Sequence, residues 1–198
     1  MKLALVEEKK FIQRLRDKDR TAFQQLVREY KDPILNVCYG YLKDVDDAED
    51  LTQEVFAEVY KTISNFKEEA SLFTWMYRIA VSRSLDELKK RRSLKRAAYF
   101  EKRVRSEAAD LEMSQTASDL PDPEEELYQK QQQLFIQDSL NQLAETQRTA
   151  FVLSQQDGLS YKEIADIMEK SLSSIESLVH RSKQNLRKIM EDNYENYF

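Results

Sequence analysis

The sequence predicts an all-α fold: two small helical domains joined by a flexible acidic linker. Three observations carry this. In 198 residues there are two glycines and three prolines, too few for the hairpins of a sandwich or barrel, which usually need such residues at their turns. Apolar residues recur at helical spacing along much of the chain. Charge is also separated along it: Arg78 to Arg105 holds eleven bases against three acids, a net of +8, while Ser106 to Glu126 holds eight acids and no base.

The elements follow in order. Ala22, Phe23, Leu26, Val27 and Tyr30 form a helical stripe. Asp32-Pro33 then reads as an N-cap followed by the proline tolerated at the first helical position, so a new helix is expected through Ile34, Leu35, Val37, Cys38, Tyr41 and Leu42. The next helix runs from about Asp46 to about Ile63. At 100° per residue Leu51, Val55, Val59 and Ile63 fall on a core side, and Asp50, Gln53, Glu54, Ala57, Glu58 and Lys61 on a polar, mostly acidic side. Such a face is either a solvated surface or a docking face for a basic partner. A di-iron reading fails because those helices need Glu-x-x-His pairs, and His180 is the one histidine of the chain.

A short polar connection over 65–71 ends at Ser71, which can cap a helix over 72–92. Phe73, Met76 and Ala80 share one face of it as a core stripe would, whereas Phe66, Trp75 and Tyr77 are harder to bury with them. Rings interleaved with Arg78, Arg83 and the cations beyond Leu88 are what single-stranded nucleic acid requires: flat faces for unstacked bases and charge for phosphates. A core beside a solvated helix end accounts for the same residues. The acidic stretch with its DLPDP at 119–123 marks the linker. The division is therefore 1–98, a linker over 99–126, and 127–198.

In the C-terminal part apolar spacing resumes at Leu134, Phe135, Leu140 and Leu143, then in a helix over 146–157 through Ala150, Phe151 and Leu153, with Asp157-Gly158 as a helix end. A short helix led by Ser160 carries Ile164, Ala165 and Met168. After a turn near 170–173, a longer one carries Ile175, Leu178, Val179, Leu186 and Ile189. This is the spacing of a helix-turn-helix, whose second helix presents its N-terminal residues to the DNA major groove. Ser173, Ser174, Glu176, Ser177, His180, Arg181 and Lys183 lie outside its apolar stripe; a helical hairpin with a polar exterior is the plain alternative. The terminal EDNYENYF reads as a tail.

Composition narrows the function. The one cysteine, Cys38, excludes an intramolecular disulfide and a thiolate metal cage. No run reaches the roughly 18 apolar residues of a bilayer span, and the N-terminal apolar stretch is too short for a signal peptide. A cytosolic protein is expected. The net charge of −5 looks wrong for a nucleic-acid binder until the basic and acidic blocks are counted apart.

Taken together, the motifs resemble the extracytoplasmic-function (ECF) sigma factors of bacterial RNA polymerase, within the sigma-70 family, over about 22–188 apart from the linker. DAEDLTQEVF (47–56) is similar to that family's core-polymerase-binding helix. NF with LFTWMYRIA (65–66 and 72–80) is similar to its promoter-melting segment, and GLSYKEIA with SSIESLVHRSKQNL (158–165 and 173–186) to its second DNA reader. The resemblance implies that Asp50, Gln53, Glu54 and Glu58 meet the clamp helices of the polymerase's largest subunit. It implies that Asn65, Phe66, Lys67, Phe73, Trp75, Tyr77, Arg78, Ser82 and Arg83 capture the −10 non-template strand. Ser173, Ser174, Glu176, Ser177, His180, Arg181 and Lys183 would read the −35 duplex, with the C-terminal domain also docking on the flap of the second subunit. It further implies an anti-sigma factor as partner, contact with a membrane only through that factor, and neither cofactor, metal, small-molecule substrate nor catalytic residue. Three positions depart from the family pattern: Ser82 replaces a common Asn, Ala144 a frequent Pro, and Glu176 a base found in some members.

Two other readings compete. A free-standing helix-turn-helix regulator would bind DNA tightly without polymerase, usually as a dimer, but no clear heptad seam is present. A nucleic-acid enzyme using the Asp46–Glu54 carboxylates around magnesium needs ligands converging from several elements, and these carboxylates splay around one helix.

Overall fold

The computed structural model describes residues 5–106, 123–156 and 158–194, and every element among them is helical. In chain order these are α1 (Leu5–Arg16), α2 (Arg20–Leu42), α3 (Val45–Thr62), a 3₁₀ turn (Ile63–Asn65), α4 (Leu72–Ser106), α5 (Pro123–Gln142), α6 (Glu145–Ser154), α7 (Tyr161–Met168) and α8 (Leu172–Asn193).

The helix starts follow from local chemistry. Asp19 accepts from the amides of Thr21 and Ala22 at the head of α2, and Asp44 from Asp47 N at the head of α3, satisfying donors that a helix start leaves unpaired. Ser71 Oγ accepts from Thr74 N at 3.1 Å, so it caps α4 as its position predicts. Ser160 opens α7 with a reciprocal capping box to Glu163.

Several expectations need correction. Pro33 does not begin a helix; it sits inside α2. An interior proline costs about 3 kcal/mol, but Ala22, Leu26, Ile34, Val37, Cys38 and Tyr41 form one buried stripe that continues past it, and breaking the helix would expose half of that stripe. The helix predicted over 72–92 continues to Ser106, and α5 starts at Pro123. Helix thus covers 99–106 and 123–126 of the expected linker, and its 107–122 part lies outside the described residues. The helix expected over 146–157 stops at Ser154; Gly158 does take a left-handed φ of +81°, four residues further on. Of the expected tail, 191–193 belong to α8, the Tyr194 ring meets Phe135 edge-on at 6.3 Å, and 195–198 lie outside the described residues. The sequence reading contained no helix at α1, which buries Phe11, Ile12 and Leu15.

Packing joins the two halves. α2, α3 and α4 pack on one another around Leu26, Val37, Val55, Val59, Met76 and Ala80, and α6, α7 and α8 around Leu153, Ile164, Ile175 and Val179. Both sets belong to one hydrophobic cluster. At the seam α2 meets α6 where Gly40, lacking a side chain, lets Val152 approach. Tyr41 Oη donates to Thr149 Oγ1 at 2.9 Å, Gln137 Nε2 to Leu42 O at 2.8 Å, and Arg92 to Asn141 O at 2.7 Å. On the other side α7 lies against α4.

Candidate functional site

On α3 Asp50 and, one turn on, Gln53 and Glu54 are exposed, while Leu51, Val55 and Val59 are buried. Glu58, expected to share that face, is half-buried, and its carboxylate accepts from Arg83 Nη2 at 2.7 Å. A residue assigned to the polymerase face is thus paired with one assigned to the −10 strand. Beside this face lies a feature that sequence reasoning missed, an apolar groove of about 720 Å³ walled by Phe23, Val27, Leu35, Phe56 and Tyr60. No signal within one helix marks it, because it forms only where these residues of α2 face those of α3.

The connection over 65–71 and the start of α4 form a second region. Asn65 and Lys67 are exposed. Phe66 is buried, its ring against Trp75 at 4.9 Å and tilted by 30°. Phe73 meets Tyr77 at 4.4 Å and Tyr30 at 6.3 Å. Tyr77 is buried too, which corrects the expectation that Phe66 and Tyr77 resist burial: Phe66 packs on Trp75, and α7, distant in sequence, lies against α4. Burial pushes the Tyr77 hydroxyl up to about 12, with neighbouring Tyr30 and Glu163 adding to the shift. It is a neutral phenol at physiological pH. Ser82 is exposed.

Arg78 shows what α7 does here. Its Nη1 pairs with Glu169 at 2.8 Å and its Nη2 donates to Asp166 O at 2.7 Å, so the end of α7 occupies the guanidinium that the sequence assigned to phosphate. A cleft of about 1230 Å³ runs between the halves at this point, with Glu8, Glu29, Glu69, Glu163 and Glu169 on its walls. Further along α4, Arg91 bonds both Asp47 at 2.6 Å and Glu87 at 2.8 Å. The guanidinium holds both carboxyls below their usual range, so the start of α3 is tied to α4.

The third region is α8. Ser171 caps it by accepting from Ser174 N at 3.3 Å. Ile175, Val179 and Ser182 face inward, and the Ser182 hydroxyl donates to Val179 O at 2.8 Å. Ser173, Glu176, Ser177, His180, Arg181 and Lys183 are exposed and Ser174 is half-buried. At 100° per residue these seven span about half the helix circumference on the side away from the core. The structure groups them on one surface. The Glu58–Arg83 ion pair joins the candidate residues of α3 to those of 65–83, while those of α8 lie together on their own helix.

The Sigma-70 region 2 family model matches residues 26–94 and the Sigma-70 region 4 model residues 134–186. The ECF RNA polymerase sigma factor SigW of Bacillus subtilis is 32% identical over 184 residues, which cover 93% of this chain and 97% of SigW. The chain belongs to the ECF RNA polymerase sigma factors. The RNA polymerase sigma-H factor of Pseudomonas aeruginosa is 27% identical over 93% of this ECF sigma factor and 94% of its own length. In the structure of CnrH in complex with the cytosolic domain of CnrY, a chain with a TM-score of 0.63 and 15% identity covers 94% of this sigma factor and 98% of that chain. RpoE, in complex with the anti-sigma factor NepR from Bartonella quintana, gives a TM-score of 0.53 at 20% identity over 85% and 96%. Both likenesses are of fold. Sigma factors are transcription initiation factors, not enzymes, and membership gives this chain core RNA polymerase and promoter DNA as partners. No helix among the described residues is long and apolar enough to cross a membrane.

Proposed function

We propose that this sigma factor directs initiation by dividing recognition between its halves. The 127–198 part reads the −35 duplex through the outward arc of α8. The 1–98 part captures the −10 non-template strand at 65–83 and holds the polymerase clamp helices through Asp50, Gln53, Glu54 and Glu58, and the acidic segment between the parts is the tether. The observation that carries the reading is the arc itself: the seven polar residues from Ser173 to Lys183 share the side of α8 away from buried Ile175 and Val179, where base edges can reach them.

The −10 part of the reading has a structural consequence. Tyr77 is buried and Arg78 is held by α7, so their part in strand capture requires α7 to leave α4, while Asn65, Lys67 and the half-buried Trp75 offer first contact. Binding energy in the loop then offsets the few kcal/mol of unstacking a base. The place of action is the cytoplasm, and an anti-sigma factor, as bound by RpoE in the NepR complex, controls access to polymerase.

The test is reconstitution. The purified chain should co-elute with core RNA polymerase and produce salt-sensitive start sites on genomic DNA fragments, which also gives the promoter sequence. Duplex binding by the chain alone with no response from polymerase would overturn the reading.

A further inference from the structure

The connection over 66–71 is held from a distance. Glu68 sits at a left-handed φ of +60°, a conformation that non-glycine residues rarely adopt and that persists only where surroundings impose it. The imposing group is Arg16, in the last turn of α1. Its Nη2 donates to Phe66 O at 2.6 Å and its Nη1 pairs with Glu68 Oε1 at 2.7 Å, the two side chains being 27% and 32% exposed. One planar fork therefore bonds two acceptors two residues apart in the connection, a geometry that an ammonium cannot reproduce. At the far end Glu8 Oε1 accepts from Leu72 N at 3.2 Å, the first amide of α4 and one that the helix leaves unpaired.

Glu8 and Arg16 are eight residues apart on α1, a span of about 12 Å, so the helix lies across the connection as a splint. α1 is itself fixed, by Phe11, Ile12 and Leu15 in the core. Just beyond it the Lys18 ammonium donates to Tyr60 O and sits 4.3 Å from the Tyr60 ring centroid. This ties the α1–α2 turn to the end of α3, on the other side of the same connection.

We propose that Arg16 is a positioning residue for strand capture: through Phe66 and Glu68 it holds the 65–71 connection in its binding shape before DNA arrives. The inference rests on the reading of that connection as the −10 capture element. A connection that had to order on binding would lose backbone and side-chain freedom at that moment; one already fixed does not.

The experiment uses the full chain bound to core RNA polymerase. The probe is a fluorescent single-stranded oligonucleotide carrying the non-template strand of a promoter that the wild-type holoenzyme opens. Arg16→Ala should weaken strand binding about ten-fold and speed amide exchange over 66–72, with polymerase affinity unchanged. Arg16→Lys should fall between Ala and wild type. Glu68→Ala, which removes one half of the contact from the other side, should weaken strand binding in the same direction and serves if Arg16→Ala does not fold. Wild-type strand affinity or unchanged exchange in folded Arg16→Ala overturns the proposal, as does a parallel loss of polymerase affinity, which would mark a merely structural role. Lys67→Ala and Trp75→Ala separate the two levels. If they weaken strand binding and Arg16→Ala does not, this inference alone falls; if neither does, the reading of the connection falls and takes the inference with it.

Discussion

Tyr41 and Thr149, 108 residues apart in sequence, share a buried hydrogen bond of 2.9 Å across the seam between the two halves. The Tyr41 hydroxyl donates, and Thr149 Oγ1, whose own proton goes to Glu145 O at 2.9 Å, accepts. Burial raises the tyrosine's pKa further above its ordinary value, so it remains a donor at every pH at which the protein is handled. Tyr41→Phe and Thr149→Val should each destabilise the packed halves by about 1 kcal/mol. The double variant should cost less than the two single losses combined, because one bond is removed either way. Urea unfolding of the four proteins measures this, and strict additivity would show that the bond contributes nothing.

Arg78 is the clearest conflict between packing and the proposed function, since Glu169 and the Asp166 carbonyl hold the guanidinium that the −10 strand would need. The pair is weak. With Glu169 72% exposed, its ion pair is worth roughly 0–1 kcal/mol. Glu169→Gln should therefore raise the affinity of the free chain for the −10 single strand only a few-fold, by lowering the cost of parting α7 from α4. The gain should disappear in Arg78→Ala/Glu169→Gln. A gain that persists in the double variant would place the effect elsewhere.

Legibility in the sequence tracked how local the deciding physics was. The core and polar sides of α3 were readable because Leu51, Val55 and Val59 alternate with carboxylates within one helix, and the α7–α8 pair because Ser160 heads the first helix and apolar residues keep helical spacing on both sides of the turn. Pro33 misled because a local rule lost to burial along the whole of α2. α1 went unread because Phe11, Ile12 and Leu15 are three apolar residues among lysines and arginines, too few to set a stripe, and are buried only once α1 packs on α2 and the 3₁₀ turn at Ile63–Asn65. Tyr77 could not be placed from its own helix, since what covers that stretch is α7, more than eighty residues later. The apolar groove beside α3 was missed for the same reason: it exists only once Phe23 and Leu35 of α2 face Phe56 and Tyr60 of α3.

Gly40 tests the seam by steric means. A Cβ added there would stand 2.6 Å from Val152 Cγ1, closer than such atoms approach, so α2 and α6 would have to move apart. Within α2 alone, alanine is the better helix former by about 1 kcal/mol. The two effects act on different events. Gly40→Ala should loosen the packing of the halves, seen as a larger radius by small-angle scattering, while the helical signal in circular dichroism is kept. Adding Val152→Ala vacates the clashing position and should restore the compact radius; a radius unaffected by Gly40→Ala would mean that α6 does not depend on close approach to α2.

Asp19 supplies the pH dependence. Its carboxylate accepts from the Thr21 hydroxyl at 2.7 Å, from Arg14 Nε at 2.7 Å and from the amides of Thr21 and Ala22 at 2.8 and 3.2 Å. Together these hold its pKa far below the ordinary 3.8, with the Thr21 hydroxyl as the largest cause. For a group whose folded pKa is depressed, the stabilisation is complete above the unfolded value and is lost as pH falls towards the folded one. The contribution is therefore intact at neutral pH and declines below about pH 4. Asp19→Asn keeps a capping oxygen but removes the titration and the ion pair with Arg14. It should unfold more easily than wild type at pH 7, and the difference should shrink as the pH is taken down towards 2. Urea midpoints measured at pH 7, 4 and 2.5 test this, and a gap of constant size across that range would show that the charge on Asp19 does not support the head of α2.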